Sequence, residues 1–478
     1  MRNDNPIWPF VEAKGLEFTG LADRVFDTPE LAYGEVESCA AHTQMLRDQG
    51  FRVTENVAGI PTAVMGEAGR GGPVIAILGE YDALPGLSQE PGRADPKQIA
   101  DHGFGHGCGH NLLGSAALSA ATAVKDWLEA EGLEGRVRYY GCPAEEGGAA
   151  KTYMVRDGQF DDVDIAITWH PASFNAVDDM RSLANTRIDF TFHGKAAHAA
   201  GAPELGRSAL DSVELMNIGV NYMREHMPDA ARVHYAYLDA GGIAPNVVQA
   251  KATVRQLIRS PDLQGLQSLV ERVRNIAEGA AMMSGTRVSS QVFSAVSNLI
   301  GNRPLSEAMQ AEFEALGPVP FDAEDAKFAD EIRATLSPED IADTFKRLAM
   351  KPDYDKPLCD FIAPLDRPFM GGIGSTDVGD VSWAVPTVQA RVTTCAVGTA
   401  LHTWQQTAQG KAPAAHKGML HAAKVMAATA RAALTDASLI VAAKKAHAEH
   451  LATYPYACPI PPETTPPIGD VPQVIRPS

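Results

Sequence analysis

Two residue types that bind metals lie close together in the segment Gly105–His110, whose sequence is Gly-His-Gly-Cys-Gly-His. Cys108 and His110 offer a thiolate and an imidazole, which are ligands for Zn²⁺ and similar divalent ions. The neighbouring glycines tolerate backbone angles that other residues avoid, and they let the main chain approach a bound group closely. A cysteine and a histidine two residues apart are also common in cores and loops, so this pair alone leaves both interpretations open.

Three further segments carry possible ligands, and each follows an apolar run that is typical of a buried strand. Glu145 and Glu146 follow the first run, His170 the second and His402 the third. Adjacent carboxylates are often a solvated surface pair and a single histidine is often structural, so each segment alone is ambiguous. The carboxyl ends of strands are, however, where open α/β sheets place their sites. We therefore expect these segments to meet the Cys108 segment at one sheet edge.

The expected ligands outnumber those of a single catalytic ion. They are Cys108, His110, Glu146, His170 and His402. One tetrahedral ion with an open position needs three, whereas two ions about 3.5–4 Å apart, with a shared ligand and a water between them, suit five. We expect the Cys108 thiolate to bridge the ions, because it has several lone pairs. Glu145 then remains free as a general base that takes a proton from the metal-bound water, as in metal-assisted amide hydrolysis.

The composition limits the classes of partner. The chain has 478 residues, of which 45% are hydrophobic and 21% charged, and its formal net charge is −18. A sizeable core is therefore available, and such an acidic chain is a poor match for nucleic acid or an anionic membrane. No apolar run approaches the roughly 20 residues of a membrane span, and none forms a signal region near the N-terminus. Together with six scattered cysteines, this predicts a reduced, cytoplasmic protein.

Strand-like apolar runs alternate with helical segments up to residue 186 and again near the C-terminus. This predicts an α/β fold whose mixed, mostly parallel sheet is flanked by helices. The pattern of residues 187–300 instead predicts the order β-α-β-β-α-β, an α+β ferredoxin-like insert with a sheet open on one side. We therefore divide the chain into a catalytic domain, residues 1–186 and 301–478, and an inserted domain, residues 187–300. Residues 301–370 predict extra helical segments, and the proline-rich end predicts an irregular tail.

Motifs in several parts of the chain resemble one enzyme family. Besides the Cys108 segment, they are Thr28–Glu35, Asp82–Pro85, Pro143–Gly148, Gly194–Ala199, Gly241-Gly242 and Asn246–Val248. The chain resembles the dinuclear metallo-amidohydrolases, which include aminoacylase, glutamate carboxypeptidase, hippurate hydrolase and the plant auxin–amino-acid hydrolases. Its Cys-Gly-His sequence is similar to the hippurate- and auxin-conjugate-like branch. Two features depart from that branch: Asn111 stands where it usually has Asp, and residues 301–370 exceed the usual spacer.

The resemblance implies a metallopeptidase-type catalytic domain that binds two divalent ions per chain, Mn²⁺ or Zn²⁺. It also implies a homodimer formed through the inserted domain, with a different partner chain as the alternative. In such a dimer a loop of the insert reaches the partner's metals. There His198 would donate a hydrogen bond to the oxyanion that forms on the scissile carbonyl, and Asn246 would help to hold the substrate.

The segments Gly374–Asp380 and Leu401–Gln405 are similar to those of family members that hydrolyse p-aminobenzoyl-glutamate to p-aminobenzoate and glutamate. The resemblance therefore implies an N-acyl or N-aroyl amino acid as substrate. Arg259, at the end of a predicted insert strand, is a candidate partner for a substrate carboxylate, because its planar fork binds carboxylates bidentately. A solvated strand-end arginine is the alternative.

Two other functions stay open. An exopeptidase acting on dipeptides would share the metals but would need a pocket for a free α-amine. A supporting chain of a hetero-oligomeric hydrolase would need no catalysis of its own, and the intact Glu145 with its five ligands argues against that function.

Overall fold

The computed structural model describes residues 5–99, 103–368, 370 and 374–469. Its strands, numbered in chain order, are β1 Arg52–Glu55, β2 Val64–Arg70, β3 Val74–Glu80, β4 Leu84–Pro85, β5 Phe104–Gly105, β6 Gly135–Cys142, β7 Ile165–Ala172, β8 Ala176–Val177, β9 Ala184–His193, β10 Arg232–Asp239, β11 Lys251–Ser260, β12 Arg287–Val296 and β13 Thr387–Thr393. Its helices are α1 Trp8–Ala13, α2 Gly15–Asp27, α3 Val36–Asp48, α4 His110–Glu131, α5 Ala150–Arg156, α6 Ala209–Met223, α7 Leu263–Ser284, α8 Arg303–Leu316, α9 Ala323–Arg333, α10 Pro338–Arg347, α11 Val378–Ala384, α12 Trp404–Gln409, α13 Pro413–Thr435 and α14 Ala437–Thr453.

The larger sheet has seven strands in the order β1-β2-β6-β3-β7-β13-β8. Strand β3 pairs in parallel with β6 on one side and β7 on the other, and β13 continues the parallel part beyond β7. The outer strands β1, β2 and β8 pair antiparallel. Every residue of β3 is buried, as expected for a strand whose two faces are both covered. The predicted α/β fold with a mixed, mostly parallel sheet is confirmed.

Helices α4 and α13 pack against this sheet and against each other. Both are rich in alanine, and small side chains let helices and sheets approach closely. Nearly all of α4 is buried, including polar residues such as Ser115 and Thr122. Because α4 begins at His110, a helix fixed in the core determines where this side chain and the preceding Cys108 lie.

The smaller sheet is antiparallel, with four strands in the order β10-β11-β9-β12. Its elements follow one another as β9, α6, β10, β11, α7 and β12, which is the predicted β-α-β-β-α-β order. Alternate residues of β9 and β11 are buried, and α6 and α7 pack on these strands. Strand β9 begins at Ala184, slightly before residue 187. The treatment of residues 187–300 as an inserted domain stays a prediction.

Residues 301–370 contribute helices α8, α9 and α10. Helix α8 places Met309 and Phe313 in the main core. Helix α10 lies against the chain that leads to His402, where the Thr344 hydroxyl accepts a hydrogen bond from the Gly398 N–H at 3.2 Å. The extra segment therefore supports one loop of the candidate site.

The C-terminal segment after α14 follows an irregular path over the catalytic domain up to residue 469. It is attached through the Tyr456 hydroxyl, which donates a hydrogen bond to Asp380 at 2.8 Å. In the described part of the chain, no single helix is long and apolar enough to cross a membrane. Helices α13 and α14 meet that test only as a pair, and the chain bends by 99° between them.

Candidate metal centre

The five predicted ligands come together at the carboxyl end of the parallel strands. Cys108, His110 and His170 place their ligand atoms within 4.8 Å of one another, and so do Cys108, Glu146 and His402. Cys108 belongs to both groups, so its sulfur lies where a ligand shared by two ions would lie. The Cys108 sulfur is 3.4 Å from Nε2 of His170. On the other side, Nε2 of His402 is 3.2 Å from Oε1 of Glu146.

Each ligand is held by a different local device. Gly109 adopts a left-handed conformation, with φ of 77°, in the turn between Cys108 and His110. His402 itself has a left-handed backbone, with φ of 62°, and its N–H donates to the carbonyl of Gly107 at 2.7 Å. His170 lies within β7 and not after its end, as the apolar run predicted. The strained turns cost free energy that the packed surroundings must offset.

Hydrogen bonds leave the ligand atoms free. Nδ1 of His170 donates to its neighbour's carbonyl, that of Pro171, at 2.8 Å, so Nε2 keeps its lone pair. Nδ1 of His110 donates to Oδ1 of Asp82 at 2.9 Å, with the same consequence for its Nε2. Nε2 of His110 and Oε1 of Glu146 are buried without a hydrogen-bond partner. Since an unsatisfied buried polar atom costs about 1–3 kcal/mol, these residues fit divalent ions, which would satisfy both atoms.

Asp82 connects the two ligand groups, and ligand spacing alone did not single it out. Its Oδ1 binds His110, and its Oδ2 accepts the N–H of Glu146 at 2.8 Å. Burial on its own would raise the pKa of Asp82, but the charge and hydrogen bond of His110 hold it below the ordinary value. A carboxylate behind a metal-bound histidine fixes the ring and increases its basicity. The signal in the sequence was its place just after the buried strand β3.

A buried lysine lies behind the centre, and no pattern in the sequence predicted it. Nζ of Lys151 is 2.7 Å from Oε1 of Glu80 and 2.6 Å from Oδ1 of Asp377. Burial lowers the pKa of Lys151, but these two carboxylates outweigh it and hold the pKa well above the ordinary value. The other oxygen of Glu80 is 3.3 Å from Nε2 of His110. The ammonium therefore neutralises carboxylates that would otherwise compete for His110.

Glu145 lies beside the ligands, in a further group with Glu80 and His110. Burial, followed by the negative charges of Glu80 and Glu146, raises the pKa of Glu145 well above the ordinary value. Ala144, just before it, has a left-handed backbone with φ of 58°. Its N–H is held by the buried carboxylate of Glu35 at 2.9 Å. The loop thus presents a carboxyl group with increased affinity for a proton beside the ligands.

His198 and Asn246 lie in the inserted sheet's connecting loops, outside both ligand groups. Both are exposed, and the Ala199 N–H donates to the Asn246 carbonyl at 3.0 Å. Nδ1 of His198 accepts the N–H groups of Ala200 and Gly201, at 3.2 and 3.0 Å. Because Nδ1 is an acceptor, the neutral ring carries its proton on Nε2. His198 therefore offers a hydrogen-bond donor that its own loop does not use.

The two remaining residues noted in the sequence differ in their surroundings. Arg259 lies in β11, and its Nε is buried without a hydrogen-bond partner. Asn111, the departure from the related branch, is fully buried. Its amide donates to the carbonyls of Gly410 and Ala22, at 3.1 and 3.4 Å. Asn111 thus joins three segments of the core and is not positioned as a ligand.

Known proteins resemble this chain in both sequence and fold. The model of peptidase family M20/M25/M40 matches residues 76–449. One of the two named subunits of the p-aminobenzoyl-glutamate hydrolase of Escherichia coli (strain K12) is 46% identical over 466 residues, which are 95% of this chain and 97% of the relative. The Xaa-Arg dipeptidase of Mus musculus is 27% identical over 89% of this chain and 87% of its own length. A dinuclear metal-binding peptidase of the M20 family from Bacillus subtilis has a similar fold, with a TM-score of 0.53 at 18% identity, covering 87% of this chain and 99% of that one.

Proposed function

Because this chain belongs to peptidase family M20/M25/M40 and is therefore a metal-dependent hydrolase, we propose that it cleaves p-aminobenzoyl-glutamate to p-aminobenzoate and glutamate. The observation that carries the chemistry is the pair of ligand groups that share Cys108, with Glu145 beside them. The substrate rests on the 46% identity, over nearly both full lengths, to a hydrolase named for p-aminobenzoyl-glutamate.

We assign the ligands to two sites. His110 and His170 belong to one, Glu146 and His402 to the other, and Cys108 bridges them. Histidine, carboxylate and thiolate together suit Zn²⁺, and Mn²⁺ is the alternative. When bound, the two ions supply a water of lowered pKa and polarise the scissile carbonyl.

The protein's own residues then move the proton and hold the substrate. Glu145 accepts a proton from the attacking water at its carboxylate and delivers it to the nitrogen of the leaving amine. The Nε2–H of His198 donates to the oxyanion that forms on the carbonyl carbon. Asn246 helps to hold the substrate, and the fork of Arg259 binds one of its carboxylates.

His198 reaches a metal site only from a partner chain in this proposal. Support comes from β10, an edge strand of the smaller sheet, whose Tyr235, Tyr237 and Leu238 are exposed. An exposed apolar edge strand invites pairing with another chain. We propose a homodimer formed through this sheet, with a different partner chain as the alternative, because the E. coli relative is named as one of two subunits of a hydrolase. All six cysteines are free, which supports a reducing cytoplasmic location.

A substrate panel tests the proposal directly. The purified protein, loaded with Mn²⁺ or Zn²⁺, is offered p-aminobenzoyl-glutamate, hippurate and dipeptides that end in arginine, and the free amino acid is measured. We expect hydrolysis of the aroyl-glutamate that stops with chelator and returns with metal. Preference for the dipeptides would instead favour the exopeptidase function, which the relative named Xaa-Arg dipeptidase supports.

A further inference from the structure

One face of the smaller sheet is cationic, although the chain as a whole carries a net charge of −18. Arg187 of β9, Arg255 and Arg259 of β11 and Arg232 of β10 lie at register positions on this face. Asp189 lies opposite Arg255 on the same face. Such local excess of one sign attracts ligands of the opposite sign.

Arg255 is already neutralised. Its Nε is 2.6 Å from Oδ1 of Asp189 and its Nη2 is 2.8 Å from Oδ2, a bidentate pair. Its guanidinium also stacks 3.9 Å from the ring centre of Phe293. Asp189 is thus fully engaged and leaves no carboxylate for the neighbouring arginines.

Arg187 and Arg259 have no such partner. Among the described residues, neither guanidinium has a carboxylate within 4.0 Å. Nε of Arg259 is buried without a hydrogen-bond partner. Burial, and then the charges of Arg255 and Arg259, lower the pKa of Arg187. Two half-buried cations without counter-ions are costly, unless an anion arrives to bind them.

Both arginines lie near the reaction centre. Nη1 of Arg187 donates to the carbonyl of Gly147 at 3.0 Å, directly after the ligand Glu146. A Cβ atom at Gly147 would lie 2.2 Å from this nitrogen, so only glycine permits the approach. Arg187 is paired with Leu257, two residues before Arg259 in β11. Diagonal neighbours of this kind lie about 7–8 Å apart, so both side chains reach one small ligand.

We propose that Arg187 and Arg259 together form a subsite for two carboxylates, so that the amine half of the substrate is a dicarboxylic amino acid. The inference rests on the proposed function and adds Arg187 as a specificity-determining residue. Each planar guanidinium takes one carboxylate. An amino acid with a neutral side chain would leave one of the two cations unpaired, and the enzyme would discriminate against it for that reason.

Three substrates separate the two carboxylates. p-Aminobenzoyl-glutamate carries both, p-aminobenzoyl-glutamine lacks the side-chain carboxylate, and p-aminobenzoyl-4-aminobutyrate lacks the α-carboxylate. We expect kcat/KM of the unaltered enzyme to be about 10- to 100-fold higher for the first than for either of the others, because a hydrogen bond to a charged group contributes about 1.5–3 kcal/mol.

Single variants then assign the contacts. An arginine that binds one carboxylate is silent with the substrate that lacks it. Arg187→Met should therefore lower kcat/KM about 10- to 100-fold for the two substrates that carry its carboxylate, and leave the third unchanged. Arg259→Met should show the complementary pattern, and Arg187→Lys should restore part of the loss.

Arg232→Gln is the matched control. Arg232 lies opposite Arg259 on the same sheet face, but it is exposed and donates to the carbonyls of Asp229 and Ala231. It should leave the ranking of the three substrates as it was. Bound metal and circular dichroism show that each variant is folded.

Each failure has its own signature. If Arg187→Met lowers all three substrates equally, Arg187 only supports the Gly147 loop and the subsite is wrong. Equal kcat/KM for glutamate and glutamine conjugates in the unaltered enzyme would also overturn the inference, even if no variant folds. Hydrolysis of none of the three by a metal-loaded enzyme would overturn the proposed function itself.

Discussion

At the residue scale, the candidate centre depends on side chains that do not face the reaction. Asp82 holds His110 with one oxygen and the backbone of Glu146 with the other. One carboxylate thus sets the distance between ligands of the two groups. Lys151 removes the competition that Glu80 would otherwise offer. The arrangement is preorganised, so ions would bind with little further ordering of side chains.

Glu145→Gln keeps the size of the side chain and its hydrogen-bonding capacity but removes the basic carboxylate. We expect a folded, metal-binding protein whose turnover of p-aminobenzoyl-glutamate falls by about 10²–10⁴-fold, the usual contribution of a general base. Steady-state kinetics at saturating substrate, together with metal analysis of the same sample, measure this. Turnover near that of the unaltered enzyme would mean that another group takes the proton.

His42 links stability to pH at a distance from the ligands. It is fully buried, accepts a hydrogen bond from the Tyr139 hydroxyl at 2.8 Å, and burial lowers its pKa to about 3. The unfolded chain, with a histidine pKa of about 6.5, binds a proton between these values that the folded chain does not. The stabilisation is therefore complete above pH 6.5 and is lost as the pH falls toward 3.

The variant His42→Gln should remove this dependence, because an amide oxygen also accepts the Tyr139 hydrogen bond and does not titrate. Between pH 6.5 and 5, we expect the free energy of unfolding of the natural chain to fall by about 1–2 kcal/mol more than that of the variant. Urea unfolding of both proteins at the two pH values gives the difference. Identical losses would show that His42 is not the proton-binding group.

At the element scale, β10 is the strand that the described part of the chain leaves least covered. Most of its residues are exposed, and it pairs on one side only, with β11. Charged residues, lysine above all, are what natural proteins use to prevent pairing at such an edge. The strand instead exposes tyrosine and leucine side chains, and this composition supports its use as an interface.

Tyr235→Lys places a charge in that interface, and we expect it to shift the protein from dimer to monomer. Activity should fall with it, because in the proposed dimer each metal site uses His198 of the other chain. Analytical ultracentrifugation and activity of the same samples test both effects. The control is Leu16→Lys, at a leucine that is 90% exposed in the catalytic part, which should leave a dimer. A dimeric Tyr235→Lys protein would place the interface elsewhere.

At the scale of the whole molecule, the five ligands predict metal content. Purified protein should hold close to two divalent ions per chain, because one tetrahedral ion cannot use five ligands. Metal analysis after removal of loosely bound ions measures the ratio, and Cys108→Ala, which lacks the shared ligand, should retain fewer. A fully active enzyme with one ion per chain would contradict the two-ion arrangement.

Two inactive variants should restore each other's activity if the site is shared between chains. His198→Ala chains keep Glu145 and the ligands, whereas Glu145→Gln chains keep His198. In a mixed dimer, one metal site combines both intact parts and is active, while one lost oxyanion donor alone costs about 10²–10³-fold. The proteins are mixed under conditions that exchange chains between dimers and then assayed. Demonstrated exchange without recovery would place His198 outside the partner's site.

Much of the centre follows from the sequence by itself. The alternation of apolar runs and helices determines a mostly parallel sheet, and the carboxyl ends of its strands must then meet at one edge. The residue types at those ends, with glycines around them, are sufficient to predict Cys108, His110, Glu146, His170 and His402 as one group, and the structure brings these five together. This worked because each ligand is adjacent in sequence to the element that positions it.

Only the tertiary structure decided which other residues surround them. Lys151 and Asp377 are 226 positions apart, and a short helix after a glycine turn gives no signal for a buried lysine. Arg187 occupies an ordinary polar position of an alternating strand, and its contact with Gly147 arises because the smaller sheet packs against the loop of Glu146. Partners of this kind are determined by packing between distant segments, which local pattern and propensity do not encode.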